Sequence, residues 1–350
     1  MCRKVFFFIL HSCILLFVNI FDVTVFAQTR ERVNTSVMSI DTVPHIKILQ
    51  DLRIVGNKLY ITYEEPNSWG QMIFCSYDID YKNNSLLRRR VYFKRDNGSY
   101  SIFFPITFWD DKYNLFVVER DNPHIYMVLG DSLCKTDNAL ITEKSHVPYS
   151  MSLNVRQAFY KSKDEYYFIG RQPLHGCCGI YHSHNIGNQV YITEFKKIVF
   201  NEKDTTWVAN QGRFEYNRNC GAYAYLFFPG IKFFNFTKNT QTTFTVKTLH
   251  NGYSTNLSEE DIYENSFIYF NYLASTEQYL YALYWGAMLK DMNERHKKGL
   301  AVTKILKFDI DGKLCEVYTV NKRLQAISVS DDNRKVVGYD GKDFLMMNIK

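Results

Sequence analysis

The stretch of the chain richest in reactive groups is His175-Gly176-Cys177-Cys178-Gly179-Ile180-Tyr181-His182-Ser183-His184. Thiolate and imidazole are zinc ligands, and in a strand His182 and His184 would project from one face. His175, Cys177, His182 and His184 are therefore the residues that would hold a transition metal. Their spacing matches no standard zinc template, and adjacent cysteines seldom ligate one ion together. A structural hairpin is the preferred reading and a disulfide from one of the cysteines a further one, so no metal or other cofactor is assigned.

A second set is dispersed: Trp69, Arg120, Arg171, His175, Tyr284 and Trp285. Rings offer apolar stacking area and guanidinium groups offer planar hydrogen bonding, which together suit a protein or glycan ligand. For Tyr284 and Trp285 the competing expectation is plain packing between neighbouring elements.

Signals for an enzyme are thinner. Asp110, Asp111, Glu119 and Asp121 could offer oxygen to calcium, but that ion takes about six to eight oxygens and no equivalent acids recur at matching positions. There is no G-x-S-x-G nucleophile elbow. The reading is a non-enzymatic binding protein, with a hydrolase or lyase holding an axial metal ion as the alternative. Three or more acidic, amide or histidine side chains converging on an axis would favour the enzyme.

What positions these residues is a repeat. Strand-like segments recur at Lys58 to Ile61, Asn114 to Val117, Glu165 to Phe168, Ala222 to Tyr225, Tyr279 to Ala282 and Lys335 to Gly338. Taking Leu59, Leu115, Tyr166, Tyr223, Leu280 and Val336 as landmarks, the intervals are 56, 51, 57, 57 and 56. A period of this length marks a repeat architecture, and each unit reads as a four-stranded meander, the makeup of a propeller blade. The composition agrees: 16% of residues are aromatic, with Tyr 26 and Phe 27 against Pro 7, and aromatics favour pleated, half-buried surfaces. The expected fold is all-β, a six-bladed propeller of four-stranded blades. In the fifth unit the Asp311-Gly312 pair marks a hairpin. The sixth unit has only three strands before the chain ends, so an N-terminal strand should complete it, and Val43 to Leu49 is the spare segment. Trp69, Arg120, Arg171, His175, Tyr284 and Trp285 then fall on the face carrying the loops from second to third strands.

The phrases Tyr279-Leu280-Tyr281-Ala282-Leu283-Tyr284-Trp285-Gly286, Lys304-Ile305-Leu306-Lys307-Phe308-Asp309-Ile310-Asp311-Gly312-Lys313 and Ala326-Ile327-Ser328-Val329-Ser330 resemble the final blades of TolB-like six-bladed propellers exported by Bacteroidetes. The resemblance is sharp over 270–350 and only periodic before, and it departs at an insertion from Ala287 to Leu300. It implies a cell-envelope propeller and supplies no catalytic motif.

The N-terminus reads as an export signal. Arg3 and Lys4 precede an almost wholly apolar stretch from Val5 to Phe21, and Val25-Phe26-Ala27 suits cleavage after Ala27. The expected organisation is a signal peptide over 1–27, a linker over 28–42 and the propeller over 43–350, exported to the periplasm or cell surface. Acylation at Cys13 is disfavoured because the apolar core runs on through Ile14 to Val18. No membrane span is expected in the mature chain. The net charge of +6 falls to +5 once Arg3, Lys4 and Asp22 leave. The Arg88-Arg89-Arg90 run lies in a strand-like segment and reads as a solvated edge, so nucleic acid is not an expected partner. Six cysteines remain after cleavage, expected mostly as buried thiols.

Overall fold

A computed structural model describes residues 30–66, 72–93, 105–110, 112, 114–119, 124–129, 132–140, 154–171, 178–187, 189–200, 208–217, 220–248, 261–262 and 265–349. Three short N-terminal strands come first, β1 (Arg30–Arg32), β2 (Thr35–Val37) and β3 (Ser39–Ile40). Six antiparallel sheets follow in chain order. Blade 1 is β4 (Ile48–Val55), β5 (Lys58–Glu64), β6 (Met72–Asp80) and β7 (Ser85–Phe93). Blade 2 is β8 (Pro105–Trp109), β9 (Leu115–Glu119), β10 (His124–Leu129) and β11 (Ser132–Ala139). Blade 3 is β12 (Asn154–Ser162), β13 (Glu165–Arg171), β14 (Cys178–Ile186) and β15 (Gln189–Ile198). Blade 4 is β16 (Gly212–Asn217), β17 (Cys220–Tyr225), β18 (Gly230–Asn235) and β19 (Thr240–Thr245). Blade 5 is β20 (Phe267–Ser275), β21 (Tyr279–Met288), β22 (Thr303–Asp309) and β23 (Leu314–Val320), and the insertion forms α1 (Leu289–Lys297) between β21 and β22. Blade 6 is β24 (Ala326–Val329), β25 (Lys335–Tyr339) and β26 (Phe344–Asn348), completed by β2. The fold is a six-bladed propeller, and each landmark residue of the repeat lies in the second strand of its blade.

Ring closure differs in detail from the expectation. Ile48 and Leu49 belong to β4, the inner strand of blade 1, and so are not spare. The closing strand is β2, antiparallel to β26 with Ser36 opposite Met346. On either side of it, β1 pairs parallel with β23 of blade 5 and β3 pairs parallel with β7 of blade 1. Residues 30–40, within the segment expected as a linker, are thus a strap stitched along the outer edges of three consecutive blades. Val33 and Met38 anchor it as buried side chains in one cluster with Leu345, Tyr318 and Leu86.

The sheets pack face to face through large rings. Tyr63, Tyr77, Tyr223, Tyr281 and Tyr318 are fully buried. Tyrosine suits the space between blades because its ring fills apolar volume while its hydroxyl reaches a polar group at the sheet edge. Tyr281 donates to Asn333 Oδ1 at 3.0 Å in the next blade, Tyr223 to the Asn210 carbonyl at 2.8 Å, and Tyr77 to the Thr42 carbonyl at 2.9 Å.

The Asp311-Gly312 turn joins β22 to β23 as expected. Gly312 has φ +86, and a Cβ there would lie 2.6 Å from the Phe233 ring of blade 4. Gly312→Ala is expected to cost about 1–3 kcal/mol through backbone strain and that clash. Thermal denaturation checks this, and an unchanged melting temperature would refute it.

Cys75 and Cys220 are buried free thiols, while Cys134 is exposed and Cys315 partly so. No helix among the described residues is long and apolar enough to cross a membrane.

Candidate functional site

In a blade whose four antiparallel strands step outward from the axis, the second-to-third loops and the blade-to-blade connections share one end. On that end the inner strands surround a cavity of about 610 Å³. Its walls come from β4, β8, β12, β16 and β20 and from Gln325 just before β24. Ile48, Ile106 and Phe159 supply apolar wall, and Gln50, Gln157 and Asn271 supply amides. The cavity is therefore the axial mouth of the propeller.

Its floor is a salt-bridge network joining four blades. Arg53 of blade 1 reaches across the ring to Glu215 of blade 4, Nη2 to Oε2 at 3.0 Å. Arg213 of blade 4 reaches back to Asp51 of blade 1, and its Nε lies 3.6 Å from Glu215 Oε1. From blade 5, Tyr272 donates its hydroxyl to Asp51 Oδ1 at 2.9 Å and Ser275 donates to Glu215 Oε2 at 3.2 Å. Thr107 of blade 2 donates to Asp51 Oδ2 at 3.3 Å. The Arg213 guanidinium lies 3.7 Å over the Tyr272 ring, a stacked cation–π contact.

The local reason is the pleat. β4 alternates Leu52 and Ile54, buried between blades, with Asp51 and Arg53, and in β16 the buried Phe214 sits between Arg213 and Glu215. An inner strand has no neighbour on the axial side, so its backbone edge needs partners. Side chains supply them. Gln157 donates to the Phe214 carbonyl at 2.9 Å and accepts from its N–H at 2.8 Å. Tyr272 accepts from Leu52 N–H at 2.9 Å, Ser328 accepts from Ile54 N–H at 2.7 Å, and Asn271 donates to the Gln325 carbonyl at 2.7 Å.

Burial and charge pull the two carboxyls apart. Burial would raise Asp51, but Arg213, Arg53 and the hydrogen bond from Tyr272 outweigh it and hold the group below the usual carboxylate range. For Glu215 burial wins over Arg53 and Arg213, and its value is raised. Burial also keeps the Tyr272 phenol well above its ordinary value, so it is a hydrogen-bond donor and not a base near neutrality.

Acids and amides do converge on the axis, yet the set does not fit a divalent cation. Calcium needs several oxygens free of competing positive charge. Here both acids face guanidinium groups, while Gln157 and Asn271 are held by backbone. Asp110, a sequence candidate for calcium, instead closes the β8–β9 turn by accepting from Lys112 and Asn114 N–H at 2.9 and 2.8 Å. Asp111 and Asp121, and the Glu119 side chain, lie outside the described residues.

Of the dispersed ligand candidates, Trp69, Arg120 and His175 lie outside the described residues, as does the Arg171 side chain. Trp285 lines the cavity with its indole buried; it donates to the Leu324 carbonyl at 2.7 Å, and the Arg323 guanidinium lies 5.7 Å from its ring. Tyr284 packs on Phe270, with ring centroids 5.5 Å apart, and lies under Lys304. Of the metal candidates, His175 and Cys177 lie outside the described residues. His182 and His184 project from one face of β14 with rings 6.4 Å apart, and His182 Nε2 lies 3.2 Å from Glu165 Oε2. Burial and the nearby Lys161 lower His182 against the opposing pull of Glu165. No group of three metal-ligating side chains forms among the described residues.

The fold and site define a six-bladed propeller whose axial mouth is a cup floored by salt bridges. No family model and no curated protein matches the sequence. Among solved structures, a DUF4221-family protein of Bacteroides vulgatus aligns with TM-score 0.51 and 8% identity, over 91% of this chain and 98% of that one. Regucalcin from Agrobacterium tumefaciens, described as calcium-binding, gives TM-score 0.48 and 8% identity over 92% and 95%. A virginiamycin B lyase from Staphylococcus aureus gives 0.46 and 11% over 91% and 100%. At such identities the likeness shows the fold alone.

Proposed function

We propose that this chain is an exported, TolB-like propeller of a bacterial envelope that binds a protein or glycan ligand at its axial mouth without performing chemistry there. The observation that carries the reading is the matching of both axial carboxylates to arginines, which leaves neither free to activate water or hold a metal. The cup itself offers apolar wall and hydrogen-bonding groups of the kind that recognise a ligand. Export rests on the leader with its expected cleavage after Ala27, which would leave the strap whole because β1 begins at Arg30.

Elemental analysis and thermal-shift measurement with calcium and zinc on residues 28–350 test the proposal. The expected result is no stoichiometric metal and no stabilisation by either ion. Stoichiometric metal with a raised melting temperature on its addition would overturn the binding reading in favour of the hydrolase or lyase.

A further inference from the structure

The cup is not confined to the axis. Past the inner strand of blade 1 it reaches Thr62 of β5 and Met72 of β6, forming a side cleft between blades 1 and 2. Thr62 is cross-strand partner to Asp51, and directly opposed residues share a sheet face. Asp51 turns to blade 2, where Thr107 meets it. Thr62 is 2% exposed, and its Oγ1 has no hydrogen-bond partner among the described residues. A buried hydroxyl without a partner is destabilising and calls for an explanation, and at the wall of an open cavity a bound ligand would supply the missing partner.

The charges lining the cup point to what that ligand is. Of the four basic residues lining the cup, Lys47 is paired with Glu64 at 2.7 Å, Arg53 with Glu215, and Arg213 with Asp51, and Arg156 is engaged by a neighbouring group as well. A carboxylate or phosphate entering the cup would compete with these internal acids and meet Asp51 and Glu215 at like charge. A neutral ligand rich in hydroxyls meets no such cost. Its C–H faces suit Ile48, Ile106 and Phe159, and its hydroxyls suit Gln50 and Thr62.

We infer that the cup takes a neutral saccharide, with one sugar hydroxyl received by Thr62 in the cleft between blades 1 and 2. This rests on the binding reading above and selects a glycan over a protein within it. It also makes Thr62 a specificity-determining residue.

The test compares the wild type with Thr62→Val and Thr62→Ser. Probes are cellobiose, maltose and N,N′-diacetylchitobiose, with glucuronate as the anionic comparator, read by calorimetry and thermal shift. At least one neutral disaccharide is expected to bind, and glucuronate is not. Thr62→Val keeps the shape of the side chain and removes the hydroxyl. It should weaken binding about tenfold, in line with loss of one hydrogen bond to a buried partner, while the unliganded protein melts no lower than wild type. Thr62→Ser should keep the affinity. Thr62→Val binding as tightly as wild type would overturn the role of Thr62. So would a melting temperature that falls in Thr62→Val and not in Thr62→Ser, since the hydroxyl would then serve the fold. Glucuronate binding in place of the neutral sugars, or no probe binding at all, would overturn the ligand class. None of these results touches the binding reading, which stands or falls on the metal measurement.

Discussion

A chain beginning at residue 43 is expected to lose cooperative unfolding, because the strap over residues 30–40 closes the ring. Its strands are short, but its bonds tie three blades. Val33 N–H donates to the Thr319 carbonyl at 3.0 Å, Met38 to Phe344 at 2.8 Å and Ser39 to Asn84 at 3.0 Å. Between these ladders Val33 and Met38 are buried at 7% and 3% exposure. Removing Met38 beyond Cβ alone should cost about 2–5 kcal/mol in transfer and cavity terms. Deleting the strap removes both anchors, its ladder bonds and the partner of β26. That loss is comparable with the whole net stability of a domain, about 5–15 kcal/mol. Urea unfolding should show a low or absent transition for the truncated chain. Amide exchange should lose protection at Leu345 to Met347, the residues opposite β2. An unchanged urea midpoint would show that three strands close blade 6 unaided. Met38→Ala, with the strap still present, is the milder comparison and should shift the midpoint without abolishing the transition.

The repeat was readable because second strands sit centrally in their sheets and are buried on both faces. Tyr223 and Ala224 in blade 4, like Leu280 and Tyr281 in blade 5, are nearly or fully buried. Such strands read as near-continuous apolar runs, and the period follows from them. The strap escaped for the opposite reason. Thr35, Ser36 and Ser39 are polar, β3 has only two residues, and β2 lies at the outer edge with Val37 at 58% exposure. Edge strands held mainly by backbone pairing carry little side-chain pattern. Val43 to Leu49 reads as spare in the sequence, but its last two residues already begin blade 1.

The site was legible in place more than in membership. A cavity does lie at the loop-bearing end and Trp285 lines it, but the residues that define its floor are not rim aromatics. They are Asp51-Leu52-Arg53 and Arg213-Phe214-Glu215, two strand triplets in which complementary charges flank an apolar residue. A charge within an amphipathic strand ordinarily means a solvated face. In the first strand of a blade that face borders the axis as well as the neighbouring blade, so charges from the opposite blade can meet it. The signal was therefore present, but it needed the strand's position in the blade before it could be read.

The floor network carries the second large expected effect. Arg213→Met should destabilise the protein by about 3 kcal/mol, the lower end for breaking a buried ion pair. The lower end applies because the Asp51 and Arg213 side chains keep 20% and 18% exposure. Arg213 is the decisive member, as it touches Asp51, lies within 3.6 Å of Glu215 and stacks on Tyr272. Asp51→Asn in the same chain should recover part of the loss by removing the stranded charge, and chemical denaturation of the single and double variants measures both. A single variant as stable as wild type would mean that water already screens the floor. Acidity supplies an independent reading. Asp51 lies below its ordinary value of 3.8 in the folded chain, so its contribution is present above about pH 4 and is lost as pH falls through the folded value. Glu215 lies above its ordinary 4.5, so its contribution runs the other way, present below that value and lost as pH rises through the folded one. Arg213→Met should therefore flatten the acid limb of the stability profile, because the cation that keeps Asp51 low is gone. If the limb keeps its slope in the variant, Arg53 alone holds Asp51 ionised and the two cross-ring bridges are not equivalent.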